Sequence, residues 1–281
     1  MTSSTVDLAD KPGIVRRIFA FPLVWLVIGA AVIVIFNGVL TGVASDLDTP
    51  FQIAAALIGA AGSIGLYALT MRLVARRRTP EMRRPIGREF LLGGAIGAFF
   101  IIASVLIVTA LGGYTVQWHP VDALSTVSLA IAVHLGVAVV EELVFRGLAL
   151  QAIEKFVGAW GAVAITALLF GGAHMLNPGA SLWSGLAITL EAGVLIGAAF
   201  VWRRNLWFII GLHFAWNTIQ NLFGIPVSGH REPGLFETTV HGDAWLTGGD
   251  FGVEASVVTV AISLVLSTLM IVAARRAKLK Q

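Results

Sequence analysis

The 281-residue chain contains no cysteine, which removes disulfide staples, thiolate metal sites and a cysteine nucleophile from the chemistry open to it. Charge is scarce too: 12% of the residues are Asp, Glu, Lys or Arg, where soluble domains carry roughly a quarter. No internal repeat or low-complexity tract is visible, and HExxH, GxGD and a phosphate-binding glycine loop are all missing. The serines lack a histidine or lysine at an interpretable spacing, which disfavours a serine protease of the rhomboid type.

What the chain has instead is apolar surface. Hydrophobic residues make up 57% of it and the mean hydropathy is +0.87, values of a polytopic membrane protein. A bilayer core needs about 20 apolar residues per helix. Eight runs meet that need: 20–43, 51–74, 90–112, 124–153, 160–175, 182–202, 207–223 and 252–274. They lack the strict alternation of a transmembrane barrel, so the expected class is all-α, with about eight helices around a polar intramembrane cavity. The expected organisation is a tail at 1–19, one transmembrane domain at 20–274 and a basic tail at 275–281. Asp7 and Asp10 in a long leading segment, followed by a long apolar run, argue against a cleaved signal peptide.

The net charge of +3 does not signal nucleic acid, because the basic residues sit in short loops between spans. With the amino terminus in the cytoplasm, 17 of the 19 Lys and Arg residues fall on one side, including Lys11, Arg16, Arg17, Arg84 and Lys280. Only Arg146 lies in a span and only Arg231 outside. The expectation is a multi-pass protein of the cytoplasmic membrane with both termini inside. The basic loop Ala75 to Arg88 reads as a topogenic segment facing phospholipid. The external segment Gly224 to Asp250 is long enough to act as a lid or re-entrant element. Its His230 and His241 read as solvated.

Ionisable groups inside spans are costly and usually functional. Here they are His134, Glu141, Glu142, Arg146, His174, Glu191 and His213, joined by Asn217. Glu142 and Arg146 are four apart and can pair on one helix face. Glu141 points about 100° away from Glu142 and is free of that pair. The turn between the fourth and fifth spans falls near Phe156 to Gly158, so Glu141 and His174 both lie about 25 Å from it and reach the same depth. His213 and Asn217 share a face of the seventh span. His134, seven residues before Glu141, is a candidate for lining the cavity, as is Glu191.

Such a set can do two things. Glu141, helped by His174, can take a proton from water while His213 and Asn217 donate to an oxyanion. Alternatively His174, His213 and a carboxylate can hold a divalent metal such as zinc with a bound water. Spacing alone leaves both open. A noncatalytic membrane scaffold or a proton-coupled transporter relaying through Glu141, Glu142 and Glu191 would also use buried carboxylates. The transporter is weakened by the lack of repeat symmetry.

Three motifs in order settle on a resemblance. EELVFRG (Glu141 to Gly147) fits EExxxR, FGGAH (Phe170 to His174) fits FxxxH, and HFAWN (His213 to Asn217) fits HxxxN. Over residues 124–223 the chain resembles the CPBP family of intramembrane proteases, also called the CAAX protease and bacteriocin-processing or Abi family. The resemblance implies an eight-span helical core and an in-membrane endopeptidase site. In it Glu141, His174, His213 and Asn217 are the catalytic residues, Glu142 and Arg146 support them, and Phe170 belongs to the cavity. It implies glutamate-activated water with no cofactor, a membrane-associated peptide or protein as substrate, and a role in bacteriocin immunity or maturation for some relatives.

Overall fold

The computed structural model describes residues 19–83 and 85–278. The expected tail before residue 19 lies outside the described residues, and so do Arg84 and Lys280. Helix α1 (Pro22–Ala44) starts with proline at its first position, where no backbone donor is lost. Helix α2 (Thr49–Leu69) runs on into a π-helical turn, Thr70–Val74, and α3 spans Ile86–Ala110. The Asp122 carboxylate accepts from the amides of Leu124 and Ser125 and so starts α4 (Ala123–Glu142). Helix α4 continues through a π-helical segment, Leu143–Leu150, into α5 (Gln151–His174). A capping box of Ser181 and Ser184 opens α6 (Leu182–Ile188), which passes through a second π-helical segment, Thr189–Leu195, into α7 (Ile196–Arg203). Asn205 caps α8 (Leu206–Leu222), and α9 (Ala244–Thr247) and α10 (Val257–Lys278) complete the helices.

The chain is thus an all-α, multi-pass membrane protein. Six helical stretches are long and apolar enough to cross a bilayer: Pro22–Ala44, Thr49–Val74, Ile86–Ala110, Ala123–His174, Leu182–Arg203 and Val257–Ala277. The fourth is 52 residues long and folds back on itself. Its reversal is at Gly158, whose φ of 74° is open to glycine and strained for other residues. The packing across the reversal is symmetric. Phe145 and Phe170 lie 13 residues before and 12 after Gly158, and their rings meet at 4.8 Å. Helix α8, at 17 residues, is just shorter than the other crossing stretches.

Helix α8 is the axis of the molecule, buried along most of its length against α3 and α4. Backbones touch there because glycines face each other. A Cβ on Gly93 or Gly97 would strike the α8 backbone at Phe208 or Leu212, and one on Gly211 would strike Phe90. Gly59 and Gly62 instead make room on α2 for α1 side chains, those of Asn37 and Phe36. The Asn37 amide also donates to Ser63 Oγ at 2.6 Å.

Three features depart from the expected pattern. The region expected to be one regular helix over 124–153 contains the π-helical stretch, which inserts residues into the α-helical period within the EELVFRG motif itself. The last long helix begins at Val257 and not near Gly252, because Gly252 (φ 112°) and the 3-10 turn Val253–Ala255 precede it. The Ala75 to Arg88 loop is only partly lipid-facing. Its Glu81 is buried and accepts from Tyr67 Oη at 2.6 Å and from Arg77 Nη2 at 2.9 Å. Arg77 also donates to Gln151, which reaches the carbonyl of Gly147. A polar network therefore anchors the basic end of the motif helix.

Two five-residue strands lie outside the spans, β1 (Tyr114–Trp118) and β2 (Phe236–Val240), antiparallel with Tyr114 opposite Val240 and Trp118 opposite Phe236. They tie the segment 224–250 to the end of α3.

Gly97→Val is expected to destabilise the detergent-solubilised protein by about 1–3 kcal/mol or more through overpacking. Gly65→Val, with open space around the glycine, should unfold near wild type in the same thermal melt.

Candidate active site

Glu142 is fully buried and its Oε1 accepts two hydrogen bonds, from Arg146 Nη1 at 2.9 Å and from His213 Nδ1 at 2.8 Å. The first is the pair that the four-residue spacing predicts. The second joins α4 to α8. Arg146 reaches further, donating to the carbonyls of Ala192 and Gly193 in the second π-helical segment and lying 4.8 Å over the Phe170 ring. One buried ion pair thereby connects the α4, α5, α6 and α8 regions.

Glu141 stands outside that network. Its side chain is 26% exposed, and Oε2 is buried without a hydrogen-bond partner among the described residues. His213 Nε2 lies 3.9 Å from it, beyond hydrogen-bond reach and close enough for a small group to sit between. His174 turns Nδ1 toward the Phe170 carbonyl at 2.8 Å. A carbonyl only accepts, so Nδ1 carries the proton and a neutral ring offers Nε2 as an acceptor. By the same logic His213 donates from Nδ1 to a Glu142 oxygen already engaged by Arg146. It can donate from Nε2 as well only when both ring nitrogens are protonated. Asn217 is 5% exposed, and its side-chain amide makes no hydrogen bond among the described residues.

Glu141, His174, His213 and Asn217 all line one cavity of about 500 Å³, together with His134 and Phe170. Glu191 does not line it. That carboxylate is fully buried on the π-helical segment beside Ala192, with neither oxygen partnered among the described residues. The reason is helical direction: Ile188 and Ala192, four apart, face the cavity, and Glu191 points off that face. Among the described residues no three His, Asp or Glu side chains converge as a metal centre requires.

The cavity has a cover that the motifs do not encode. Val227, Ser228, His230 and Glu232 of the external segment line it, as do Glu254 and Asn221. His230, expected to be simply solvated, is exposed and at the same time faces the cavity. His241 is on the surface, 2.9 Å from Thr115 Oγ1. His134 Nε2 donates to Asn221 Oδ1 at 3.2 Å, and the Asn221 amide holds the carbonyls of Glu232 and Pro233. Asn177 donates to the Ser228 carbonyl at 3.0 Å, while the Ser228 amide donates to Glu254 Oε2 at 2.5 Å. Asn221 was accessible to spacing, because it continues the His213, Asn217 series by one more turn. Glu254 and Glu232 approach from loops, where no period marks them.

Residues 123–219, which is 97 of the 281 residues, match the family described as Rce1-like, type II CAAX prenyl endopeptidase. All three motifs fall inside that stretch. Over that stretch, about a third of the chain, the motif-bearing core is similar to this family. No curated protein and no solved structure matches the chain.

Removing Arg146 strands a buried carboxylate, and Arg146→Ala should cost about 3–5 kcal/mol. Glu141→Gln, which breaks no hydrogen bond, should melt close to wild type in the same experiment. Burial pushes the Glu254 carboxyl up to about 7, against the Ser228 hydrogen bonds that favour its ionised form. The folded state then binds more protons than the unfolded chain between about 4.5 and 7, so this group's contribution to stability falls as pH rises through that window. Thermal melts from pH 5 to 8 should lose part of that slope in Glu254→Gln.

Proposed function

We propose that the protein is a glutamate-dependent intramembrane endopeptidase acting on a membrane-associated peptide or protein. The observation that carries this reading is the division of labour within EELVFRG. Glu142 takes up the arginine and one histidine, leaving Glu141 with a free oxygen in a cavity shared with His174, His213 and Asn217.

The steps follow from the atoms present. Glu141 accepts a proton from water as the water oxygen bonds to the scissile carbonyl carbon, with His174 Nε2 accepting the second water hydrogen and orienting the lone pair. Charge grows on the carbonyl oxygen, where the Asn217 amide and a doubly protonated His213 Nε2 are the available donors. Collapse of the tetrahedral intermediate breaks the C–N bond. The proton held by Glu141 passes to the leaving amine, giving a carboxylic acid and an amine and returning the carboxylate. Arg146 and Glu142 act as positioning residues, fixing His213 through Nδ1.

In this reading the folded-back 123–174 stretch contributes two crossings and α8 one more, for eight in total. The basic loops lie in the cytoplasm with both termini, in the cytoplasmic membrane. Residues 20–274 form a single transmembrane domain whose motif-bearing core is 124–223, flanked by the two polar tails. The substrate is a polypeptide and not a nucleic acid, and the bilayer is its second partner.

Quantitative proteomics of membranes from cells carrying wild-type or variant protein tests the proposal. Fragments that depend on the wild type should fall by about 10²–10⁴ in rate for Glu141→Gln and by about 10²–10³ for Asn217→Ala. An unchanged fragment pattern in Glu141→Gln, at equal protein level, rejects the assignment.

A further inference from the structure

Resting on the protease reading above, we infer that the site is served from the extracytoplasmic face. Its substrate is then the extracytoplasmic, membrane-adjacent segment of a membrane-anchored polypeptide.

The cavity that holds Glu141 is not isolated. A second cavity of about 570 Å³ lies between α1, α2 and α4, lined by Asn37, Thr41, Gln52, Ala56, Gly136 and Glu141 among others. A third of about 240 Å³ lies beside the first turns of α2 and α4, at Thr49, Gln52, Ser125 and Thr126. All three are lined by Val133 and Glu232, so they adjoin at one place under the external segment. The second also shares Glu141 with the first, which connects a cleft between helices to the candidate reacting centre.

Most of the lining residues sit toward the end of their elements away from the basic loops, while Glu141, Phe145, Ala192 and His213 form the floor at mid-depth. Thr41 is near the end of α1 and Thr49 at the start of α2. Val133 and His134 belong to the first half of α4, His174 ends α5, and Asn217 and Asn221 are in the last turns of α8. Val227, Ser228, His230 and Glu232 of the external segment, with Glu254 in the turn that follows it, complete the rim. No Lys or Arg lines any of the three. The carboxylates Glu141 and Glu232 stand where the cavities adjoin, which disfavours an anionic ligand such as a lipid phosphate at that junction and leaves a neutral or cationic peptide.

The opposite end is shut. Between the cavity and the basic loops lie the Glu142 and Arg146 pair and the buried side chains of Leu143, Leu148, Phe208 and Ile209. Beyond them the Tyr67, Glu81, Arg77 and Gln151 network and the ion pairs Glu89 with Arg203 and Glu154 with Arg204 close the basic face. The positive-inside rule assigns that closed face to the cytoplasm. A polypeptide presented there would meet packed side chains and buried ion pairs, whereas one in the outer leaflet meets the interhelical cleft and then Glu141.

Because the natural chain lacks cysteine, single cysteines report facing directly. In sealed right-side-out vesicles bearing the full chain, Glu232→Cys at the cavity junction and Glu237→Cys on β2 should react with a membrane-impermeant maleimide. Arg78→Cys in the basic loop should react only after permeabilisation. The reverse pattern overturns the inference while leaving a protease intact. Amino-terminal sequencing by mass spectrometry then locates the cuts that vanish in Glu141→Ala. These should fall in extracytoplasmic segments beside a span, and cuts on the cytoplasmic side overturn the inference. If the labelling is as expected and no Glu141-dependent cut exists anywhere, the protease reading fails and the substrate assignment falls with it, on grounds separate from the facing.

Discussion

The structure depends on one buried charge pair. Glu142 and Arg146 sit in a low-dielectric interior where either alone would be very costly, and each binds a different neighbouring element. Glu142 secures His213 on α8, and Arg146 secures the carbonyls of the second π-helical segment. The pair therefore works less as a source of stability than as a positional constraint, because the bonds it makes to His213 and to the Ala192 and Gly193 carbonyls require these elements to stand together. Glu141 inherits a defined place from its neighbour without being tied down itself.

Packing around the constraint is simple by comparison. Glycines let α3 and α8 approach until their backbones touch, and this close contact leaves α8 nowhere to slide. Polar links at the two ends have different characters. The basic end holds charged groups in mutual pairs next to well-packed apolar residues. The other end holds the side-chain amides of Asn177 and Asn221, which donate to loop carbonyls, with His134 bonded to Asn221, and these contacts cover the cavity.

Much of this was legible in the chain because helices have a fixed period and a hairpin has a centre. Four-residue spacing carries Glu142 to Arg146 and His213 to Asn217, and equal distances from the Gly158 region carry Glu141 and His174 to one cavity. What stayed hidden obeys no such rule. Strand β1 finds β2 across more than a hundred residues, and Glu254 reaches Ser228 from the turn just before the last long helix. Glu81, in a loop that reads as merely basic, is buried by Tyr67 from the preceding helix. Glu191 shows the converse: a carboxylate in a span suggests the cavity, yet its direction on the helix takes it elsewhere.

The π-helical stretch Leu143–Leu150 has a consequence for how such a protein can change. A wider helical turn is equivalent to an α-helix with an extra residue inserted. Deleting one residue there would restore the α-helical period while the helix on either side kept roughly its present direction. What would change is the angle at which Arg146 and its neighbours in Leu143–Leu150 leave the helix. The residue count of the stretch thus sets where the motif's own side chains point, more than it sets the path of the hairpin.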